Sequence, residues 1–183
     1  MPLGTWKKLG GITVATNRWW TYRKDTYELP SGTKGEYHYV HTNGASLVVP
    51  VGAGGELHLV NQYRYLCARE SIEFPCGGVK DGQTYEHTAL DELREETGYT
   101  CGRLEQAGAF DPYNGVTDEI CRVYVARELT FVGFAPDETE EFEQVTISAR
   151  ELDGRIASGE IWDGMTIAAW AIVRPILADR GAP

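Results

Sequence analysis

No stretch of this sequence comes near the roughly 18 continuous apolar residues that a membrane-spanning helix needs. Cysteine is scarce. Cys67, Cys76, Cys101 and Cys121 stand far apart and none shares a C-x-x-C spacing, which argues against a zinc site and predicts reduced thiols in a cytoplasmic protein. Cationic side chains are also short, 17 Lys and Arg against 27 Asp and Glu, for a formal net charge of −10. That balance argues against a nucleic-acid backbone as the main partner, because binding one takes clustered Lys and Arg. A small phosphorylated ligand stays open, since a metal ion supplies positive charge locally. Internal repeats and low-complexity runs are absent. The opening Met-Pro-Leu-Gly-Thr-Trp-Lys-Lys has no apolar run behind it, so no secretory signal peptide is expected.

What is present is 183 residues, 42% of them hydrophobic, enough for one domain with a real core and a small appendage. Residues 5 to 40 read as short β segments: Arg18-Trp-Trp-Thr-Tyr and Glu36-Tyr-His-Tyr-Val alternate apolar and polar positions about a turn at Leu29-Pro-Ser-Gly-Thr. Asn43-Gly44 marks a tight turn, Ala45 to Pro50 an apolar strand, Ala53-Gly-Gly a hairpin turn and Glu56 to Tyr63 the next strand. A helix is predicted over Thr84 to Thr97, with Ala89, Leu90 and Leu93 as its apolar stripe and Gly98 ending it. Further strands are expected over Leu104 to Phe110, Glu119 to Ala126 and Glu143 to Ser148. Ser148-Ala-Arg-Glu151 reads as a capping box opening a second helix that stops near Gly159. A third helix begins near Asp163 or Thr166, and Pro175 is expected to kink or end it. The pattern predicts an α+β fold, a mixed sheet with helices packed on it, divided into a β appendage over 1–42 and a main domain over 43–183. So small a β appendage, carrying Trp6, Trp19, Trp20, Tyr22 and Tyr27, cannot bury its own core, which predicts a homodimer.

From Glu73 the chain runs Glu-Phe-Pro-Cys-Gly-Gly-Val-Lys-Asp-Gly-Gln and then enters the helix that carries Glu92, Glu95 and Glu96. With each helical residue advancing about 100°, the three glutamates fall within an arc of roughly 100°, and Leu90 and Leu93 are expected on the other side. Like charges so spaced repel by a few tenths of a kcal/mol per pair. Acidic runs on helices are common as plain solvated faces. Here the glycine-rich loop before the run and Gly98 after it favour a hard divalent cation beside a phosphate-bearing ligand. Oxygen-only ligands select Mg2+, Mn2+ or Ca2+ over zinc. Cys76 is not expected to act as a nucleophile, having no histidine near it in sequence.

This segment resembles the signature of the Nudix hydrolases, G-x5-E-x7-R-E-U-x-E-E-x-G-U, where U is apolar. Gly77, Glu92, Leu93, Glu95, Glu96 and Gly98 match, and Tyr99 stands at the last apolar place. Gln83 stands where the family has Glu, and Asp91 where it has the Arg that pairs with that Glu. The two departures imply a weaker cation site. The likeness extends along the chain. Asn61-Gln-Tyr-Arg64 with Glu73-Phe-Pro-Cys-Gly-Gly is similar to the Q-Y-R … E-L-P-A-G run of the ADP-ribose pyrophosphatase branch. Ser158-Gly-Glu-Ile-Trp-Asp-Gly-Met-Thr-Ile-Ala-Ala is similar to its C-terminal G-x-I-x-D-x-x-T-x-A-A element. The branch has a Ser-Pro-Gly turn followed by a glutamate, where this chain has Tyr113-Asn114-Gly115 and Glu119.

The resemblance implies a Nudix-type mixed sheet sandwiched by helices, with a small N-terminal antiparallel sheet exchanged between the subunits of a homodimer. It implies hydrolysis of the pyrophosphate bond of a nucleoside diphosphate sugar, ADP-ribose first, with Mg2+ or Mn2+. Glu92, Glu96, Glu95 and the backbone carbonyl of Cys76 would hold the cation. Arg64, Glu73, Gly77, Gly78, Trp19, Trp20, Tyr113 and Glu119 would contact substrate; of the adjacent tryptophans only one can face the site. The general base is expected in the acidic segment Asp137-Glu-Thr-Glu-Glu141, Glu140 first and Glu138 second, with Glu95 in reserve. Other substrates, GDP-mannose or a UDP-sugar, stay open at this point, as does a binding module with weakened catalysis. A substrate panel separates the first two. A sensor would be expected to carry a fused DNA-binding domain, for which this acidic chain has no room.

Overall fold

A computed structural model describes residues 4–134 and 141–180. The N-terminal segments form an antiparallel three-stranded sheet in the order β1-β2-β3, with β1 at Lys7–Thr16, β2 at Thr21–Glu28 and β3 at Lys34–His41. The expected turn at Leu29 is there, closed by the Leu29 N–H donating to the Thr33 carbonyl at 2.8 Å, with Gly32 at φ 85°. Arg18-Trp19-Trp20, read as strand, is instead the β1–β2 turn. The Asn17 side-chain oxygen accepts from the Trp19 and Trp20 N–H groups at 2.9 and 3.0 Å, and this local bonding outcompetes the ladder.

The main body has two sheets. One is mixed, in the order β7-β4-β9-β8, with β4 at Ala45–Pro50, β7 at Cys76–Gly78, β8 at Tyr99–Phe110 and β9 at Cys121–Phe131. β4 and β9 run parallel and the other pairs antiparallel. The second sheet is antiparallel, β10-β5-β6, with β5 at Leu57–Arg64, β6 at Arg69–Glu73 and β10 at Glu143–Ile147. The chain reverses at Ala53-Gly54-Gly55 as expected, but β4 and β5 enter different sheets and share one bridge, Val51 with Leu57.

Every residue of β4 is buried, because the strand is covered on both faces. Leu47 and Val49 join Leu57, Leu59, Phe74, Val123 and Val125 in a core closed by Leu152 of α2 (Ala149–Ser158) and Trp170 and Val173 of α3 (Gly164–Arg180). Val48 points the other way, to Ala89 and Leu93 of α1 (Tyr85–Thr97) and to Tyr124 and Ala126. The four-stranded sheet thus lies between α1 and the α2–α3 pair, which is the expected helix-covered mixed sheet.

Helix boundaries follow their caps. Thr84 accepts from the His87 N–H at 3.2 Å, and Gly98, at φ 73°, returns its N–H to the Arg94 carbonyl. Ser148 and Glu151 form the expected capping box. α3 runs through Pro175 to Arg180, so of the two outcomes expected at the proline the helix end does not occur; the ring's fixed φ suits a helix even though one hydrogen bond is lost. One expectation about α1 fails. Leu90 is 38% exposed, and the buried face of α1 is Thr88, Ala89, Leu93, Glu96 and Thr97. Glu96 sits only about 60° from Leu93 around the helix, so the acidic and apolar arcs adjoin rather than oppose.

Candidate active site

Where the two sheets and α1 meet there is a cleft of about 660 Å3. Its carboxylates come from Glu92, Glu95 and Glu96 on α1 and from Asp81. Its floor is Cys76, Gly77 and Gly78, and its cations are Arg18, Arg64 and Lys80. Glu96 is 5% exposed, while Glu92 and Glu95 are half-buried.

β7 explains why the glycine loop has its sequence. Cys76, Gly77 and Gly78 pair with Leu47, Ser46 and Ala45 of β4. The flanking bonds, Val48 N–H to the Pro75 carbonyl and Val79 N–H to the Gly44 carbonyl, both 2.9 Å, set the alternation. Cys76 therefore occupies a non-hydrogen-bonded pair, and its carbonyl points away from β4, off the open edge of the sheet. At Gly77 an added Cβ would lie 1.9 Å from Glu92 Oε1, so the Glu92 carboxylate fills the space that glycine leaves. The donor set, carboxylates plus a main-chain carbonyl, is hard oxygen throughout and fits Mg2+ or Mn2+. Among the described residues no three His, Cys, Asp or Glu side chains already stand close enough together to hold an ion.

Arg64 reaches the cleft from β5 on the same strand face as Gln62, two residues before it. Glu73, expected to touch substrate, does not line the cleft. It is 3% exposed and holds Arg64 by two hydrogen bonds, Nε to Oε1 at 2.8 Å and Nη2 to Oε2, with Gln62 Nε2 donating to Oε2 at 3.4 Å. The hydrogen bond to Glu73 raises the Arg64 pKa above its already high ordinary value. A planar fork held this way presents its remaining N–H groups in one direction, suited to phosphate.

Trp19 lines the cleft and Trp20 does not, so the turn selects one of the adjacent tryptophans. The Arg18 guanidinium lies 4.1 Å from the Trp19 ring centroid. Tyr113 and Glu119 are not among the lining residues. Their segment docks on β3 and the residue that follows it: the Tyr37 hydroxyl donates to the Gly115 carbonyl at 3.1 Å, His41 Nδ1 meets Asp118 at 2.8 Å, and Glu119 accepts from Thr42 Oγ1 at 3.0 Å. Glu138 and Glu140 lie outside the described residues. The sequence reading missed Arg18, Asn43, Gln62, Lys80 and Asp81. Of these, Gln62 had a visible signal in its i, i+2 spacing to Arg64, while Asn43 arrives through its 2.8 Å bond to Asp81.

The two departing positions of the glutamate motif face each other. Gln83 Nε2 donates to Asp91 Oδ2 at 3.3 Å and Gln83 Oε1 accepts from Thr88 Oγ1 at 3.3 Å, so an amide–carboxylate bond ties the loop to the helix. Hydrogen bonding with Cys121, then burial, then the charges of Cys121, Glu96 and Glu92 hold the Cys76 thiol well above its usual range, which fits its exclusion as a nucleophile. No helix of the described residues is long and apolar enough to cross a membrane, and all four cysteines are free.

Residues 40–167 match the sequence profile of the NUDIX domain. The chain is 35% identical over 144 residues to the ADP-ribose pyrophosphatase of Bacillus subtilis (strain 168), covering 78% of each. It is 33% identical over 147 residues to the methanol dehydrogenase activator of Bacillus methanolicus, covering 79% of this chain and 80% of that one. Among solved structures, one described as an ADP compounds hydrolase matches 99% of this chain and 98% of its own with a TM-score of 0.86 at 22% identity.

Proposed function

Because the chain belongs to the Nudix family, we propose that it hydrolyses the pyrophosphate bond of a nucleoside diphosphate sugar, ADP-ribose first, with Mg2+ or Mn2+. The observation that carries this reading is a cleft lined at once by the α1 carboxylates Glu92, Glu95 and Glu96, by Arg64 and by Gly77 and Gly78. In this reading Glu92, Glu96 and the Cys76 carbonyl hold the cation, and Glu95 is a further ligand or orients water. A cation held there would neutralise phosphate oxygens and lower the pKa of a water bound to it. Arg64, held by Glu73, grips a phosphate, and Trp19 stacks on the base. Water attacks one phosphorus, the P–O–P bridge breaks, and the products are a nucleoside monophosphate and a sugar phosphate.

The test is product release from ADP-ribose, GDP-mannose and a UDP-sugar with Mg2+ and with Mn2+. Turnover of at least one of them, abolished by EDTA and restored by excess cation, is the expected result. No turnover with either cation, or turnover indifferent to EDTA, overturns the reading.

Residues 1–42 are, in the same reading, the dimerisation element. All of β1 is exposed in the single chain, and Trp6, Ile12, Val14 and Trp20 present apolar surface there. A second copy of the chain covers it. Light scattering at micromolar concentration should give about twice the chain mass of 20.3 kDa, and a monomer would sink this part.

A further inference from the structure

We infer that Gln144 is a positioning residue for the cleft. It sets the main chain at Glu96 and the separation between the carboxylate wall and the arginine wall. The inference rests on the metal-dependent reading above.

The two walls belong to different layers. Glu92, Glu95 and Glu96 ride on α1, which packs on the four-stranded sheet through Ala89 and Leu93. Gln62 and Arg64 ride on β5, in the other sheet. Gln144 lies on β10, directly opposite Val60 of β5, so it moves with the arginine wall. Its side chain crosses to the other layer, where Nε2 donates to the main-chain carbonyl of Glu96 at 2.6 Å.

The acceptor matters as much as the crossing. The last four carbonyls of a helix have no intrahelical partner. At this end of α1, Gly98 N–H takes the Arg94 carbonyl, and Gln144 takes the carbonyl of Glu96, whose own side chain is turned into the cleft. Thr97 Oγ1 bonds back to the Leu93 carbonyl one turn earlier. The main chain that aims a candidate cation ligand is thus fixed from the opposite wall. Nothing in the sequence marks Gln144, which is a polar residue on a short strand.

The test uses Gln144→Met, of similar length but with no donor, and Gln144→Lys, which keeps a donor. Mn2+ binding to the substrate-free protein is measured by electron paramagnetic resonance, alongside the thermal midpoint and kcat. Gln144→Met should weaken Mn2+ binding by about tenfold, on the scale of a lost outer-shell support, and lower kcat in parallel. Gln144→Lys should bind Mn2+ more tightly than Gln144→Met despite its added positive charge. A merely structural role moves the midpoint of both variants and leaves the Mn2+ affinity of the folded fraction at the wild-type value; that result overturns the inference. So does a Lys variant no better than the Met variant. Wild-type protein that binds no Mn2+ overturns the metal reading itself, whereas wild type that binds Mn2+ alongside an equally tight Gln144→Met overturns only the role of Gln144.

Discussion

Glu96→Gln will lower kcat by about a thousandfold while the protein stays folded. Glu96 is the most buried carboxylate lining the cleft, at 5% exposure, and it lies on the same buried face of α1 as Ala89. A glutamine has the same shape and retains an oxygen acceptor, so packing against the α1 core survives. What it loses is the negative charge. A bound cation contributes several kcal/mol to the transition state; losing about 4 kcal/mol of that is about 10³ in rate. The thermal midpoint should hold, because the amide keeps the shape and the packing of the side chain. Circular dichroism, thermal melting and turnover of ADP-ribose check the three parts. Wild-type turnover in a folded Glu96→Gln protein would remove Glu96 from the cation site.

The register of the glutamates was legible in the sequence because a helix with a Thr84 cap and a Gly98 stop has only one way to wind. The same local chemistry made the Ser148–Glu151 box and the buried β4 run readable. The rest depended on tertiary partners. Cys76-Gly77-Gly78 has poor strand propensity and reads as loop; it becomes β7 because β4 offers it an edge. Trp19 reached the cleft for a reason the alternation hid, since Asn17 folds the turn back on itself. Tyr113 and Glu119 were assigned to the site by family likeness, but their segment is held on β3 and the residue that follows it by contacts across more than 70 positions, Tyr37 to Gly115 and Thr42 to Glu119. Leu90 looked like core because apolar residues at i, i+3 suggest a stripe, yet the buried arc of α1 centres on Ala89 and Glu96, on the far side of Leu93 from Leu90.

Glu73 and Gln83 show the other side of this limit. Both were singled out from sequence, and the structure gives each a partner that sequence spacing does not announce. Glu73 is a buried counter-charge that aims Arg64. Gln83 and Asp91, mismatched against the family pattern, complement each other as donor and acceptor. The amide–carboxylate bond joins the same two places that the family pattern joins with its Glu and Arg, with one hydrogen bond in place of an ion pair.

Gly77→Ala will cut activity by about a hundredfold with no loss of stability. An alanine Cβ would meet Glu92 Oε1 at 1.9 Å and Cδ at 2.3 Å, far inside any real contact. The obstacle is the far end of a side chain rather than backbone, so the fold yields and the Glu92 carboxylate moves by about an ångström or more. A misplacement of about 1 Å at reacting groups costs on the order of 10²-fold. Gly77 is not among the glycines at positive φ, so alanine suits its backbone and should add about 0.4–1 kcal/mol of stability by restricting the unfolded chain. Gly154→Ala, in α2 with nothing within 4 Å of the added Cβ, serves as the control that gains stability without touching the cleft. The decisive pattern is a raised thermal midpoint in both variants with turnover lost only in Gly77→Ala. Equal turnover in the two would mean that the position of Glu92 over Gly77 has no bearing on the reaction.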